Sequence, residues 1–128
     1  MIDQEFWLGK RVFLTGHTGF KGSWLSLWLN HLESSVKGYA LDPPTSPSLF
    51  NVAKVSEVID SQIGDIRDQE LLYESMVEFN PDILFHMAAQ SLVRRSYDEP
   101  VDTYEVNTIG TAKVLEVARS CSNLKAII

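Results

Sequence analysis

Cysteine is almost absent from this sequence, because Cys121 is the single one in 128 residues. One cysteine cannot form an internal disulfide, and it has none of the neighbours that a cysteine-based zinc cluster needs. We therefore expect neither a disulfide framework nor a metal site. A reducing compartment fits this composition best.

Long apolar runs are missing as well. No stretch approaches the roughly 18 consecutive apolar residues that are needed to cross a bilayer. The N-terminal segment carries Asp3 and Glu5 and has no apolar core of the kind found in a secretory signal peptide. Together these absences predict a soluble, cytoplasmic protein with no membrane partner.

Positive charge is in short supply. Lysine and arginine number 11 against 17 aspartates and glutamates, so the formal net charge is −6 at pH 7. This balance argues against non-specific binding to nucleic acid. It does not exclude a phosphorylated ligand, because backbone N–H groups and a helix dipole bind phosphate without net positive charge. The length and the 45% apolar content predict a single globular domain.

The sequence does contain a glycine-rich turn. Gly16, Gly19 and Gly22 recur at every third position, after the apolar run 12–14 and before the apolar segment 23–32. Glycine adopts positive backbone angles without a steric penalty, which suits a sharp passage from a strand into a helix. Such a turn directs free N–H groups and the positive end of the helix dipole toward a ligand, and this favours phosphate. On its own the pattern is weak.

Alternating strand and helix signals continue along the chain. We expect strands over 10–15, 35–41, 57–63, 83–86 and 124–128, and helices over 23–32, 67–79 and 100–120, with Asp68 capping the second helix and Pro100 opening the third. The first helix is apolar on most sides, so burial on two sides is expected. Segments 43–48 and 87–99 are predicted to be loops, and residues 1–9 to pack on the sheet edge.

This order predicts an α/β fold of the Rossmann type, a doubly wound parallel sheet with helices on both faces, and the chain ends inside its fifth strand. Ligands bind such sheets at the carboxyl ends of the strands. The glycine turn, Asp42, Asp65 and residues 88–90 are all predicted to lie there.

Asp42 has the position of a ribose-binding carboxylate, 20 residues after Gly22 at the end of the second strand. A carboxylate there accepts hydrogen bonds from the adenosine ribose and repels a 2′-phosphate. This favours NAD over NADP, and residues 42–48 contain no basic side chain that would argue otherwise. The alternative is that Asp42 only begins the proline-rich turn.

The motifs resemble those of the extended short-chain dehydrogenases/reductases. The resemblance rests on Thr-Gly-x-x-Gly-x-x-Gly at 15–22, Asp65-Ile66, Ala88-Ala89, and Asn107 ahead of Gly110-Thr111. Within that superfamily, segments 17–25, 38–42 and 90–94 look like the N-terminal half of the CDP-glucose 4,6-dehydratase family. This implies an NAD-dependent hydro-lyase of deoxysugar biosynthesis for bacterial surface polysaccharide such as O-antigen, with CDP-glucose as the substrate.

The resemblance also implies a set of cofactor contacts. The pyrophosphate would lie against Gly16, Gly19, Phe20, Lys21 and Gly22, with His17 as a phosphate or backbone contact. Asp42 would hold the adenosine ribose, Asp65 and Ile66 would read the adenine edge, and Ala88, Ala89 and Gln90 would flank the nicotinamide ribose and the sugar. Asn107 would be a structural or cofactor-side polar residue. An alternative for Asp65 is that it merely terminates a strand.

Two residues are implied to contact the substrate, Ser91 and Arg94. Arg94 could instead be a solvated loop charge. Ser91 stands where CDP-glucose dehydratases usually have proline and looks more like the dTDP-glucose and GDP-mannose dehydratases. Val106 replaces a threonine that is common just before Asn107. These departures leave the nucleotide preference open but not the fold.

The catalytic pair of the superfamily, a tyrosine with a lysine four residues later, is missing. The four tyrosines and the residues four positions on are Tyr39 with Pro43, Tyr73 with Val77, Tyr97 with Val101 and Tyr104 with Thr108. That lysine lowers the tyrosine pKa so that the phenolate can act as a base near neutral pH. The resemblance therefore implies that residues 1–128 are the NAD(P)-binding part of a longer enzyme, with its catalytic and substrate-binding segments elsewhere.

The reaction implied for the longer enzyme is oxidation at C4 of the hexose, loss of water across C5 and C6, and return of hydride to C6. We expect no dehydratase activity from the 128 residues alone. A nucleotide-sugar epimerase, a dehydratase acting on another nucleotide, and a non-catalytic NAD-binding module are the alternatives. The resemblance also implies a homo-oligomer, paired through long helices such as the predicted one over 101–120.

Overall fold

Five parallel strands form one sheet in the computed structural model, which describes residues 2–128. The strands are β1 (Arg11–Thr15), β2 (Ser35–Ala40), β3 (Asp60–Ile63), β4 (Ile83–His86) and β5 (Ala126–Ile127), in the order β3-β2-β1-β4-β5. β1 lies at the centre and pairs with both β2 and β4. The parallel pairing and the strand order confirm the predicted doubly wound, Rossmann-type fold.

Seven α-helices surround the sheet within residues 2–128. They are α1 (Gln4–Trp7), α2 (Phe20–His31), α3 (Leu49–Val52), α4 (Gln69–Phe79), α5 (Val93–Asp98), α6 (Pro100–Tyr104) and α7 (Thr111–Ala118). A π-helical turn over Glu105–Gly110 joins α6 to α7, so one long helical segment follows Pro100 as predicted. No helix in this part of the chain is long and apolar enough to cross a membrane.

Apolar residues cover both faces of the sheet. Along β1, Val12 and Leu14 belong to the cluster beneath α2, whereas Phe13 belongs to the cluster beneath α4 and α7. All three side chains are fully buried. A strand buried on both faces is what a continuous apolar run between helices predicts.

The cap predicted for α4 is confirmed. Asp68 precedes the helix with an extended backbone, and its carboxylate accepts a hydrogen bond from the Leu71 N–H at 3.1 Å. That bond satisfies one of the N–H groups that the first turn of a helix leaves without an internal partner.

The prediction for the first helix was wrong in two respects. α2 begins at Phe20 rather than at residue 23, because Gly19 is its N-cap and the glycine turn runs directly into the helix. It is also not buried on two sides, since Trp24 and Trp28 are 56% and 51% exposed. The helix presents Gly22, Ser23, Ser26 and Leu29 to the protein interior and both tryptophans to the outside.

Three further expectations need correction. The loop expected over 87–99 contains α5, in which the Arg95 guanidinium pairs with the Glu99 carboxylate one turn later at 2.6 Å. β3 begins at Asp60, because Val55–Glu57 form a short 3-10 helix. The N-terminal segment packs on a face of the sheet rather than on its edge, where Trp7 stacks on Phe85 with 6.4 Å between ring centroids.

Leu72 offers a test of the core beneath α4. Its side chain is fully buried, so Leu72→Ala should lower the free energy of unfolding by about 2–5 kcal/mol through lost burial and the cavity left behind. Leu115 on α7 is 44% exposed and provides a helical control, for which Leu115→Ala should cost less than about 1 kcal/mol. Urea denaturation measures both values, and equal losses would contradict this packing.

Candidate functional site

The turn between β1 and α2 is so tight that only glycine fits at two positions. Gly16 has a φ of +81°, and a Cβ there would lie 2.9 Å from the backbone nitrogen of Ala88. A Cβ on Gly22 would overlap the carbonyl group of Gly16. The backbones of β1, α2 and the loop after β4 therefore meet in direct contact at this point.

The first turn of α2 keeps its N–H groups available. Its N-cap Gly19 provides no side-chain hydrogen bond, and the first turn carries no acidic residue. Side-chain hydroxyls hold the turn without using these N–H groups. The Thr18 hydroxyl donates to the Leu41 carbonyl at 2.8 Å, and the Ser23 hydroxyl donates to the His17 carbonyl at 2.9 Å. Free N–H groups at the positive end of a twelve-residue helix favour an anionic ligand.

All five residues predicted to line a pyrophosphate lie in this turn, namely Gly16, Gly19, Phe20, Lys21 and Gly22. The side chains of Phe20 and Lys21 point outward, and Phe20 is 70% exposed. A groove of about 650 Å³ lies beside them and is lined by Lys21, Trp24, Leu25, Leu27, Trp28, His31 and Met87. Six of these seven residues belong to α2, and Met87 belongs to the loop after β4.

His17 does not face the ligand side of the turn. Its imidazole is fully buried, and its Nε2 lies 2.7 Å from the Ser61 hydroxyl. The ring packs nearly perpendicular to that of Phe50, with 5.4 Å between the ring centroids. The space for the ring exists because residue 38 is glycine. A phosphate contact through the imidazole is therefore wrong for this structure, and only the backbone of His17 can serve. Burial lowers the pKa of His17 to about 4.

Asp42 is exposed just beyond the end of β2, and its carboxylate has no hydrogen-bond or ion-pair partner within residues 2–128. It is free to accept hydrogen bonds from a ligand. This placement agrees with the ribose-binding role implied by its spacing from the glycine turn.

Asp65, at the end of β3, is already engaged. Both of its oxygens accept hydrogen bonds from the Arg67 guanidinium, the shortest at 2.6 Å, and these bonds lower the pKa of Asp65. Ile66 is 4% exposed and packs into the core, so it can offer a ligand only its backbone. Any contact with an adenine ring would use the remaining lone pairs of Asp65 or that backbone.

Arg67 also ties the end of β3 to α5 and α6, which the sequence did not indicate. Its Nη1 donates to Asp102 at 2.7 Å, and the same carboxylate accepts from Arg95 at 3.1 Å. Asp102 lies 35 positions from Arg67, so no local spacing could have revealed the pair.

Asn107 clamps the loop that follows β4. Its side-chain oxygen accepts from the Gln90 N–H at 2.8 Å, and its amide donates to the Gln90 carbonyl at 2.9 Å. The Gln90 side chain is itself bonded to Leu92 and Thr103. Of the two roles predicted for Asn107, the structure shows the structural one. Ala88 and Ala89 are thereby held beside the glycine turn.

Ser91 and Arg94 are exposed at the end of this loop and on α5. Neither side chain has a hydrogen-bond or ion-pair partner among the residues described here, so both are available to a ligand. Val106 packs against the core beneath α4, which suits its apolar side chain. Across residues 2–128, no group of three or more histidines, cysteines, aspartates or glutamates is placed to hold a metal ion.

A family model for GDP-mannose 4,6-dehydratase matches residues 13–128. The chain belongs to this family. It is 58% identical over 128 residues to CDP-glucose 4,6-dehydratase of Salmonella typhimurium, a match that covers the whole chain and 36% of that protein. It is also 34% identical over 120 residues to UDP-glucose 4-epimerase of Mycolicibacterium smegmatis, covering 91% of the chain and 37% of the relative.

Solved structures agree with the fold. The epimerase Mth375 of Methanothermobacter thermautotrophicus superposes with a TM-score of 0.78 at 32% identity, over 93% of this chain and 34% of that one. UDP-glucose 4-epimerase of Brucella ovis, solved in complex with NAD, gives a TM-score of 0.76 at 25% identity. The match covers 92% of this chain and 34% of the epimerase. The chain thus spans little more than a third of the length of these relatives.

The buried His17 predicts a pH-dependent stability. Its pKa is about 4 in the folded chain and 6.5 in the unfolded one, so between these values only the unfolded chain binds the proton. The free energy of unfolding should fall by about 3 kcal/mol as the pH drops through this window. Urea denaturation at several pH values measures the effect.

A matched pair of variants isolates this contribution. His17→Gln can retain a hydrogen bond to Ser61 but cannot titrate, so the part of the pH dependence that comes from His17 should disappear. A smaller dependence from His86, whose pKa is also lowered by burial, should remain. His31 is exposed, and His31→Gln provides the control for replacing a histidine at the surface. The same slope in His17→Gln as in the wild type would contradict the assignment.

Proposed function

We propose that this chain is the NAD-binding part of a nucleotide-sugar 4,6-dehydratase that acts on CDP-glucose. The observation that carries the proposal is the 58% identity with the Salmonella enzyme, which extends over all 128 residues. Identity with the GDP-mannose dehydratases of Yersinia enterocolitica and Vibrio cholerae is 28% and 33%. The difference favours the cytidine nucleotide, although Ser91 resembles the other two dehydratase groups.

The residues at the strand ends fit a dinucleotide. The backbone contact at Gly16 and Gly22 leaves a cradle beside the first turn of α2, where the N–H groups would bind a pyrophosphate. The free carboxylate of Asp42 would bind the adenosine ribose and disfavour the 2′-phosphate of NADP. NAD held in this way would supply the hydride acceptor for oxidation of the hexose.

The opposite side of the site would hold the sugar nucleotide. The loop 88–90, fixed by Asn107, would form the wall between the nicotinamide ribose and the hexose. Ser91 would face the hexose, and the guanidinium of Arg94 would suit a diphosphate, which arginine binds through paired hydrogen bonds. The catalytic tyrosine and lysine would come from outside residues 1–128.

Two further properties belong to the proposal. The long helical segment exposes Val101, Tyr104 and Ile109 at 70%, 71% and 52%, which suits a homo-oligomer paired through this surface. The single cysteine, Cys121, is buried and free, which suits the cytoplasm. An epimerase is the second candidate function, because the chain is 34% identical to one and superposes on several.

Asp42 provides the test of cofactor binding. Asp42→Ala should weaken NAD binding to the 128-residue chain by about 1–3 kcal/mol, because hydrogen bonds to a charged acceptor are lost. The same substitution should weaken NADP binding less, so the ratio of NAD affinity to NADP affinity should fall. Glu74→Ala, which removes an exposed carboxylate from α4, serves as the control. Calorimetric titration measures both affinities, and unchanged NAD binding in Asp42→Ala would remove this residue from the site.

A chimera tests the activity. The chain would replace the corresponding 36% of the Salmonella enzyme, and the product would be assayed with CDP-glucose, dTDP-glucose and GDP-mannose. We expect turnover of CDP-glucose with loss of water by the chimera and none by the 128 residues alone. A folded, NAD-binding chimera that prefers another nucleotide would overturn the CDP assignment. Turnover by the 128 residues alone would overturn the proposal that this chain binds the cofactor while the catalytic tyrosine and lysine lie outside it.

A further inference from the structure

A chain of hydrogen bonds, buried at Thr15 and partly buried at His86, runs beneath the loop after β4. It starts at Thr15, the last residue of β1, whose side chain is fully buried. The Thr15 hydroxyl accepts from the Ala88 N–H at 3.1 Å and from the Met87 N–H at 3.0 Å, the latter shared with the Thr15 carbonyl. With both lone pairs of this oxygen occupied, its hydrogen must go to the remaining neighbour, Nδ1 of His86 at 2.7 Å.

The other side of His86 gives the same proton assignment independently. Its Nε2 lies 2.9 Å from the Thr111 hydroxyl, which donates its own hydrogen to the Asn107 carbonyl at 2.8 Å. Because that hydrogen is used, the Thr111 oxygen must accept, and Nε2 of His86 must carry a hydrogen. Both ends therefore require a neutral imidazole protonated at Nε2.

Other protonation states break the chain. A hydrogen on Nδ1 would force a third donor onto the Thr15 oxygen and leave the Thr15 hydrogen without an acceptor. An imidazolium has the same defect, and burial in any case lowers the pKa of His86. A buried donor without an acceptor costs free energy, so the surrounding groups select one state.

We propose that His86 is a positioning residue, which in its neutral, Nε2-protonated form locks the loop 87–90 onto the end of β1. The proposal rests on the proposed NAD site, since this loop would form its nicotinamide side. Thr15 holds the loop at Ala88, and Asn107 holds it at Gln90. His86 connects the two anchors through Thr111, so one imidazole links the glycine turn to the helical segment.

The first experiment examines the ring itself. The ¹⁵N spectrum of the 128-residue chain, labelled at histidine, distinguishes the two neutral tautomers and the imidazolium at pH 7. We expect His86, assigned through His86→Gln, to give the pattern of a single Nε2-protonated form. An Nδ1-protonated form, a mixture or an imidazolium would overturn the proposal. This measurement needs no NAD, so its outcome is independent of the proposed function.

The second experiment separates positioning from packing. His86→Asn can still present an acceptor oxygen to the Thr15 hydroxyl. His86→Leu fills similar space but has no hydrogen-bonding atom in its side chain. We expect NAD to bind the Leu variant about tenfold more weakly than the wild type, and the Asn variant to recover most of that loss. Hydrogen exchange at the Ala88 amide should quicken in the Leu variant and stay slower in the Asn variant.

The outcomes are distinguishable. Equal NAD affinity and equal Ala88 exchange in all three proteins would overturn the role of His86. Failure of the wild type to bind NAD would instead overturn the proposed function, and the exchange of Ala88 would still decide the positioning role. If His86→Leu does not fold, the tautomer of the wild type and the exchange in His86→Asn decide it.

Discussion

The contact of bare backbone at Gly16 is the constraint on which the rest of this structure depends. The end of β1, the start of α2 and the loop after β4 all meet there, with no room for a single additional carbon atom. Because they meet so closely, the first turn of α2 opens toward the carboxyl ends of the strands. Asp42 and the loop 88–90 then flank that opening from β2 and β4, the two neighbours of β1.

Polar residues around this opening divide into those that build it and those that it leaves free. The side chains of Asn107 and Asp65 are hydrogen-bonded within the protein, to Gln90 and to Arg67 respectively. Asp42 and Arg94 have no partner within residues 2–128. A pocket that must bind a charged ligand repeatedly needs both kinds, because only side chains that are already satisfied hold their positions when the ligand leaves.

The parts of this arrangement that depend on local sequence were predictable. Alternating apolar runs predicted the succession of strands and helices and the parallel sheet, and the glycine spacing predicted the turn from β1 into α2. The burial of His17 and the anchoring of Gln90 were not predictable, because each depends on residues distant in the chain. The exposure of Trp24 was not expected from the apolar sequence of α2. α5 was missed for a different reason: its polar composition is typical of a loop, although Arg95 and Glu99 are four positions apart and pair along the helix.

The glycine at position 38 has a consequence for how this family of sequences can change. Any side chain there would overlap the imidazole of His17, although the two residues belong to different elements. The constraint acts in one direction: a larger residue at 38 requires a smaller one at 17, and a histidine at 17 requires glycine at 38. Across related sequences, a histidine at 17 should therefore be accompanied by glycine at 38, and an alignment alone can test this expectation.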